Sequence, residues 1–347
     1  MKQHSFLTAL CLLFAAVPIT GQTIKSSMEF APSEHWVKPV EKPYREEICL
    51  NGTWAFAPVQ LPAGFKEGET PAPALPGVNE VTFSKTPIRI PSPWNVNSFA
   101  DKNGLGGDHR TYPSYPKEWE SIKMGWLQKK FTVPASWKGK RIQIHFEAVA
   151  GKADIYVNGK AVGNNFDIFM PFDIDITDAV KFGQENTLNV GIQKSSLFDD
   201  RKSPLGRRTY QGGSFWGQHI AGIWQDVYLV ALPQTRVADV YIQPIVNKNT
   251  LEVEVTLRND ENKPVEVNIS AAAYPWISKA GKTVLTAANP SSQLGSQAAL
   301  QMPTQKVTIP AGKEIKTTLK TTVDNKLKLW SPSSPNLYGL VVKTSVN

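Results

Sequence analysis

One stretch of the 347-residue sequence concentrates side chains that can each make several directed contacts. Between Ser195 and His219 stand Phe198, Asp199, Asp200, Arg201, Arg207, Arg208, Tyr210, Phe215, Trp216, Gln218 and His219, spaced by Gly206, Gly212, Gly213 and Gly217. Carboxylates and guanidinium groups make planar, two-point hydrogen bonds. Aromatic faces cover the apolar surface of a small ligand while a few polar groups orient it. This composition suits a small polar ligand held by several directed contacts, with Asp199, Asp200, Arg201, Trp216 and His219 as contact residues. It equally suits a packing surface, with Trp216 as an anchor and the arginines paired to another domain's carboxylates.

Other groupings fall short on spacing. Asp173, Asp175 and Asp178 lack the central glycine and terminal glutamate of a calcium loop, and their alternation with Phe172, Ile174 and Ile176 makes them the wet face of a strand. The five histidines show no metal-ligand spacing. Ser196 and Ser214 lack a Gly-x-Ser-x-Gly context for a nucleophile. No cofactor or metal is expected.

The elements that must position these residues read as strands. Ten Trp and fifteen Phe against five Met, with 26 Pro and 24 Gly, point to an all-β chain of short strands and many turns. Arg141–Phe146 alternates apolar and polar residues. Asp154–Val157 and Lys160–Val162 flank Asn158-Gly159, the pair that a type I′ hairpin turn demands. Strands are also read at Phe172–Ile176, Thr187–Ile192 and Trp224–Val230. The stretches 22–43, 58–87 and 101–123 read as arms and loops, the last with Tyr112, Tyr115 and Trp119, and long aromatic loops are more often functional than idle. A boundary is expected near Pro233. Beyond it Leu251, Val253, Val255 and Leu257, then Val265, Val267 and Ile269, then Val307–Ile309, Ile315–Leu319 and Tyr338–Val342 read as a small sandwich of roughly the 100 residues typical of an immunoglobulin-like domain.

Residues 1–21 read as an export signal: Lys2, an apolar run from Phe6 to Val17, and small Gly21 before the cut. Cleavage removes Cys11 and leaves Cys49 alone, so no internal disulfide is expected even in an oxidising compartment. The expected location is periplasmic or secreted, with no membrane association after cleavage. The net charge of +8 is scattered rather than blocked, which argues against nucleic acid as a partner.

Seven segments, taken in order, resemble the sugar-binding domain of glycoside hydrolase family 2, the family of β-galactosidases, β-glucuronidases and β-mannosidases. They are Cys49-Leu-Asn-Gly-Thr-Trp-Ala-Phe56, Ile90-Pro-Ser-Pro-Trp94, Gly125–Pro134, Arg141–Lys160, Phe169–Asp178, Glu185–Val190 and Ala221–Val230. Asp239–Pro244 and Leu329-Trp-Ser-Pro-Ser-Ser-Pro-Asn-Leu-Tyr338 extend the resemblance into the second domain. It implies a jelly-roll sugar-binding β-sandwich over 22–232 and an immunoglobulin-like β-sandwich over 233–347, carbohydrate as ligand, and a catalytic (β/α) barrel as partner. In that family the barrel supplies both catalytic carboxyls and takes about 250 residues that are not in this chain. No residue here is therefore assigned a catalytic role, and the chain alone is expected to be inactive. Asn79-Glu80 resembles the barrel's Asn-Glu pair, but it sits in a Pro- and Gly-rich stretch without the partly buried site a general acid needs. The resemblance makes Asp199 and Asp200 the nearest equivalents of an acidic residue that helps to hold a sugar hydroxyl or an ion. The parent activity is read as β-galactosidase-like, with β-glucuronidase or β-mannosidase next. A self-sufficient carbohydrate-binding module and a partner of a separately encoded barrel stand as alternatives.

Overall fold

The computed structural model describes residues 46–68, 71–95, 115–199, 220–278 and 292–346. In the first part of the chain the strands are β1 (Glu46–Cys49), β2 (Gly52–Val59), β3 (Ile88–Ile90), β4 (Met124–Thr132), β5 (Arg141–Phe146), β6 (Val149–Val157), β7 (Lys160–Asp167), β8 (Phe172–Asp175), β9 (Glu185–Gln193), β10 (Gly222–Ile223) and β11 (Val227–Leu232). They form two sheets, one ordered β1-β11-β5-β8 and the other β10-β6-β9-β4-β2-β3, with β7 added beside β6. Alternation decides what lies between them. Ile142, Ile144 and Phe146 of β5 meet Leu188, Val190 and Ile192 of β9 and Trp54 and Phe56 of β2 in one continuous core. This is the two-sheet sandwich expected, and the Asn158-Gly159 hairpin joins β6 to β7 with φ of 51° and 81°.

Two strand expectations need correction. Cys49–Phe56 is not one strand: the chain leaves β1 in the small sheet, turns at Leu50-Asn51 and enters β2 in the large one. The strand read at Trp224–Val230 begins only at Val227: β10 (Gly222–Ile223) precedes it in the large sheet, the chain breaks at residues 224–226, and β11 continues in the small sheet. Apolar alternation survives such a crossing because both sheets bury side chains towards the same interior. One set of bonds staples the two crossings. Asn51, wholly buried, donates from Nδ2 to Asp226 Oδ1 (2.9 Å) and accepts Val227 N–H on Oδ1 (3.0 Å). Leu50 N–H donates to Val227 O (2.8 Å) and Glu147 N–H to Asp226 O (2.9 Å).

Two of the stretches read as loops prove to be structural. Residues 61–68 and 71–83 cover the outer face of the large sheet: Leu61, Phe65, Leu75, Val81 and Phe83 pack on Trp126, Met124 and Val59. Trp126 Nε1 donates to Pro76 O (2.9 Å) and Gln193 Nε2 to Pro73 O (2.6 Å). Gly191 is needed there, since a Cβ would come within 2.5 Å of Leu75 Cδ2. Tyr115 and Trp119 are core residues rather than an aromatic contact surface. Lys117–Ser121 is a 3-10 helix, and Trp119 lies edge-on to Phe56 with centroids 4.6 Å apart. The sequence lacks strand or helical periodicity in both places, so burial there had no signature.

The second part holds β12 (Thr235–Ile245), β13 (Thr250–Asn259), β14 (Val265–Ser278), β15 (Ser292–Leu294), β16 (Leu300–Gln301), β17 (Gln305–Ile309), β18 (Glu314–Thr322) and β19 (Tyr338–Val346). One sheet is β12-β13-β18. In the other, β14 pairs β19 along one edge and β17, β16 and β15 in turn along its length. Val253, Val255 and Leu257, with Leu319 beside them in the same sheet, face Val267 and Ile269 in a core of their own, as the alternation predicts.

The corner staple is testable. Asn51→Ala should destabilise the protein by about 2 kcal/mol in chemical denaturation, the scale for stranding buried hydrogen-bonding groups. Asn51→Asp should cost more at pH 7, because it sets a second carboxylate against Asp226, and its excess over Asn51→Ala should shrink as the pH falls towards 4. A pH-independent difference would show that Asp226 is not the partner that matters.

Candidate functional site

The candidate segment leaves the large sheet at the end of β9. Lys194 N–H donates to Lys123 O (2.8 Å), and residues Ser195–Phe198 make a 3-10 helix closed by Leu197 N–H on Lys194 O (3.0 Å). Leu197 is wholly buried on Trp126 and Met124, so the segment starts from an anchored base. Asp199 follows, itself 7% exposed, with its N–H donating to Ser196 O (3.3 Å). Of the sequence-derived contact residues, Asp199 is the one placed. Asp200, Arg201, Trp216 and His219 lie outside the described residues, as do Tyr112, Arg207, Arg208, Tyr210, Phe215 and Gln218.

The chain returns at Ile220, equally well tied. Ala221 N–H donates to Asn95 Oδ1 (2.9 Å), Trp94 N–H to Ala221 O (3.1 Å) and Ser92 N–H to Ile223 O (2.9 Å). Gly222 has φ of 121°, and a Cβ there would approach the Trp94 ring to 3.0 Å. Half-buried Trp224 donates from Nε1 to Ile168 O (2.7 Å) and stands edge-on to Phe169. Asp167 Oδ1 accepts the N–H groups of Ile168, Phe169 and Met170, and these backbone donors, Met170 first, hold its carboxyl below the usual range. The bonds fix a turn that leaves Phe166, Phe169 and Met170 exposed, with Phe166 against Phe198 at 4.9 Å. Both feet of the segment are thus rigid, with an apolar rim beside them.

Two titratable groupings lie outside the residues singled out from the sequence, and only the first had no signal there. Glu67 pairs with Lys123 beneath the 3-10 helix at Ser195–Phe198, with Lys194 nearby. Burial pushes the Glu67 carboxyl up, but hydrogen bonding and charge from Lys123, with Lys194 behind it, bring it below the usual carboxylate range. The Lys194 ammonium is pushed down by burial and by its neighbour Lys123, with Glu67 opposing in part. No local spacing predicts contacts between residues so far apart in the chain. The second grouping was legible: the polar positions of β5 and β8 face outwards together, so His145 Nδ1 meets Asp173 Oδ1 at 2.9 Å, with Glu147 Oε1 3.7 Å from Nε2. Asp173 and Asp175 are exposed, as a wet strand face should be. Among the described residues no group of three or more His, Cys, Asp or Glu side chains is placed to hold a metal.

Residues 48–233 match the family model for the glycosyl hydrolases family 2 sugar binding domain, and residues 235–347 match that for glycosyl hydrolases family 2. The chain belongs to glycosyl hydrolase family 2. A β-glucuronidase of Formosa agariphila is 28% identical over 280 residues, which is 76% of this chain and 25% of the relative. A β-galactosidase of Thermoanaerobacter pseudethanolicus is 28% identical over 236 residues, 68% of this chain and 28% of the relative. The chain therefore spans about a quarter of the length of these curated relatives. The structure of Bacteroides uniformis β-glucuronidase shares the fold at 21% identity, with a TM-score of 0.57 over 87% of this chain and 30% of that one. A putative β-galactosidase from Bacteroides fragilis gives a TM-score of 0.57 at 19% identity, covering 87% of this chain and 39% of its own.

The His145 contacts set a pH dependence. The hydrogen bond to Asp173, then the charges of Asp173, Glu147 and Glu47, raise its pKa above the ordinary value, against burial. The folded state therefore holds this proton more tightly than the unfolded chain. The stabilisation is fully present below about pH 6.5, the unfolded value, and is lost as pH rises through the folded pKa. Denaturation midpoints across this window should fall with pH for the wild type, and His145→Gln should lack that component. A folded pKa at or below 6.5, read from the imidazole resonances, would refute it.

Proposed function

We propose that this chain is the non-catalytic N-terminal part of an exported family 2 glycosidase that cleaves β-linked galactosides or glucuronides, its chemistry residing in a (β/α) barrel. Two consecutive family-model matches, in a chain that spans about a quarter of its glycosidase relatives, carry this reading. The chemistry supports it. Retaining glycoside hydrolysis needs two carboxyls about 5–5.5 Å apart, one kept protonated by a raised pKa. Glu67, Asp167 and Asp260 carry carboxyls whose pKa is displaced downwards. Each is held as a carboxylate at neutral pH, the opposite of a general acid. Glu80 of the Asn79-Glu80 pair is exposed on a three-residue 3-10 helix, without a site around it.

Asp199, Asp200 and Arg201 then reach a bound sugar from the anchored base at Ser195–Phe198, with Trp216 and His219 on the same segment as sugar contacts or as packing against the barrel. The β-galactosidase-like reading takes precedence, with β-glucuronidase next. Residues 1–21 direct export to the periplasm or medium.

Aryl β-galactosides and β-glucuronides test the division of labour. The purified 347-residue chain should give no turnover above buffer, whereas a gene product that also carries the barrel should hydrolyse one of them. Turnover by the chain alone, abolished by substituting one of its own carboxylates, would overturn the proposal. N-terminal sequencing of the exported protein should begin at Gln22, and retention of residues 1–21 would refute the export signal.

A further inference from the structure

The second sandwich is closed along one side and open along the other. On the closed side Leu319 of β18 and Ile309 of β17 are buried. On the open side β12 and β19 are the edge strands, near neighbours across the core. Their inward positions follow from the pairing, because residues directly opposite in a ladder share a face. Ile242 of β12 stands opposite Val253, and Val346 of β19 opposite Val267. Both valines are wholly buried, yet Ile242 and Val346 are 47% and 62% exposed. Val240, Leu340 and Val342, inward at the same two edges, are half-buried.

The two edges are not alike. β12 carries a bulge between Val237 and Asp239 and a proline at Pro244, devices that blunt an edge against further pairing. β19 keeps continuous register with β14 from Tyr338 to Val346, without bulge or proline and with one charged residue, Lys343. Trp276 N–H donates to Leu337 O (2.8 Å), which sets the parity of the ladder. Alternate residues of an antiparallel strand bond the same neighbour. Gly339, Val341, Lys343 and Ser345 therefore bond β14, and the N–H and C=O groups of Leu340, Val342 and Thr344 point the other way. Among the described residues no strand pairs with that side. Immunoglobulin-like sandwiches set strands A, B and E in one sheet and C, F and G in the other. β12, β13 and β18 hold the first three places and β14 and β19 those of C and F, so the free edge of β19 is where G pairs.

The geometry points to β19 as the docking edge for one further β-strand, contributed by the polypeptide that carries the barrel. That strand bonds the outward N–H and C=O groups of Leu340, Val342 and Thr344 and sets alternate apolar side chains over Leu340, Val342, Val346 and Ile242. The chain covers 25% and 28% of two glycosidase relatives, so the greater part of each lies outside the matched region and has length to supply it. That the strand comes with a barrel rests on the glycosidase reading; the open seam rests on the second sandwich alone.

Amide hydrogen exchange with residue resolution, on the 347-residue chain and on the gene product that also carries the barrel, tests this. In the chain alone the amides of Leu340, Val342 and Thr344 should exchange roughly 100-fold or more faster than those of Val341 and Lys343, which bond β14. In the longer product the two sets should exchange at similar rates. Thr344→Pro removes one outward N–H and no bond to β14, a place where an edge strand tolerates proline. In the longer product it should speed exchange at Val342 by roughly tenfold or more, while Val341 stays protected. The inference is overturned if the outward amides remain labile in the longer product, or if Thr344→Pro leaves Val342 protected, since packing rather than pairing would then cover the edge. Protection in the chain alone that rises with protein concentration would assign the edge to a second copy and overturn it too. Protection in the longer product without hydrolysis of either aryl glycoside would refute the glycosidase reading and leave the strand site intact. Hydrolysis with labile outward amides would do the reverse.

Discussion

The first sandwich hangs on a buried amide. Asn51 and Asp226 stand at the point where two separate pieces of chain each leave one sheet for the other, and at such crossings backbone groups lose their ladder partners. A buried N–H or C=O without a partner costs on the order of 1–3 kcal/mol, so the corner is stable only if side chains replace the missing bonds. Asn51 does this with both ends of its amide, accepting from Val227 N–H and donating to Asp226, whose other oxygen accepts from the Tyr228 hydroxyl at 3.0 Å. Burial and the Asp226 carboxylate together push the Tyr228 phenol up, which keeps it a donor at any ordinary pH. A carboxamide offers a donor and an acceptor on separate atoms without adding a second charge beside Asp226. Asn51-Gly-Thr53 also matches the Asn-x-Ser/Thr pattern of a glycosylation acceptor, but in the fold its amide nitrogen is buried and bonded.

From that corner the candidate segment acquires its position. β10 runs into the crossing, so the staple that holds β11 also holds Gly222 and Ile223, and through them the return of the chain at Ile220. The outgoing foot is set independently, by Leu197 sunk among Trp126 and Met124 under the cover of residues 61–68 and 71–83. The two feet are fixed by unrelated contacts and lie at the same end of the large sheet, where β9 ends at Gln193 opposite Lys152 and β10 pairs with Ala150 and Val149.

Legibility followed periodicity. Strands β5, β6, β13 and β14 could be read because one face of each is buried and the alternation states it. The hairpin at Asn158-Gly159 could be read because only such a pair tolerates φ above zero twice in succession. The breaks at Leu50-Asn51 and Trp224–Asp226 could not, because a strand that changes sheets keeps its inward face. The cover at residues 61–68 and 71–83 and the core role of Tyr115 and Trp119 were hidden for the opposite reason: irregular backbone buries side chains without a repeat. At the site, Asp199 stood out by type and neighbours, whereas Glu67 and Lys123 are brought together only by tertiary packing.

The joint between the two sandwiches has a different character from either interior. Their cores share no residue, and β11 ends at Leu232 with β12 starting at Thr235, so two residues connect them. What crosses the joint is polar. Gln234 Nε2 donates to Gly139 O at 2.8 Å, and Arg141 Nε of the first sandwich lies 4.0 Å from Asp260 Oδ2 of the second. Burial alone would push the Asp260 carboxyl up, but Arg236 and Arg258 hydrogen-bond to it and bring it below the ordinary range. Arg141 pairs with Asp175 of its own sandwich. Asp260 is thus satisfied within its own sandwich, whereas the Arg141 Nε that faces it is buried without a hydrogen-bond partner, and at 4.0 Å the two groups are beyond hydrogen-bond reach. Such a joint adds little stability. What it supplies is direction, because a two-residue connection flanked by fixed polar contacts restricts the angle at which one sandwich presents its surface beside the other.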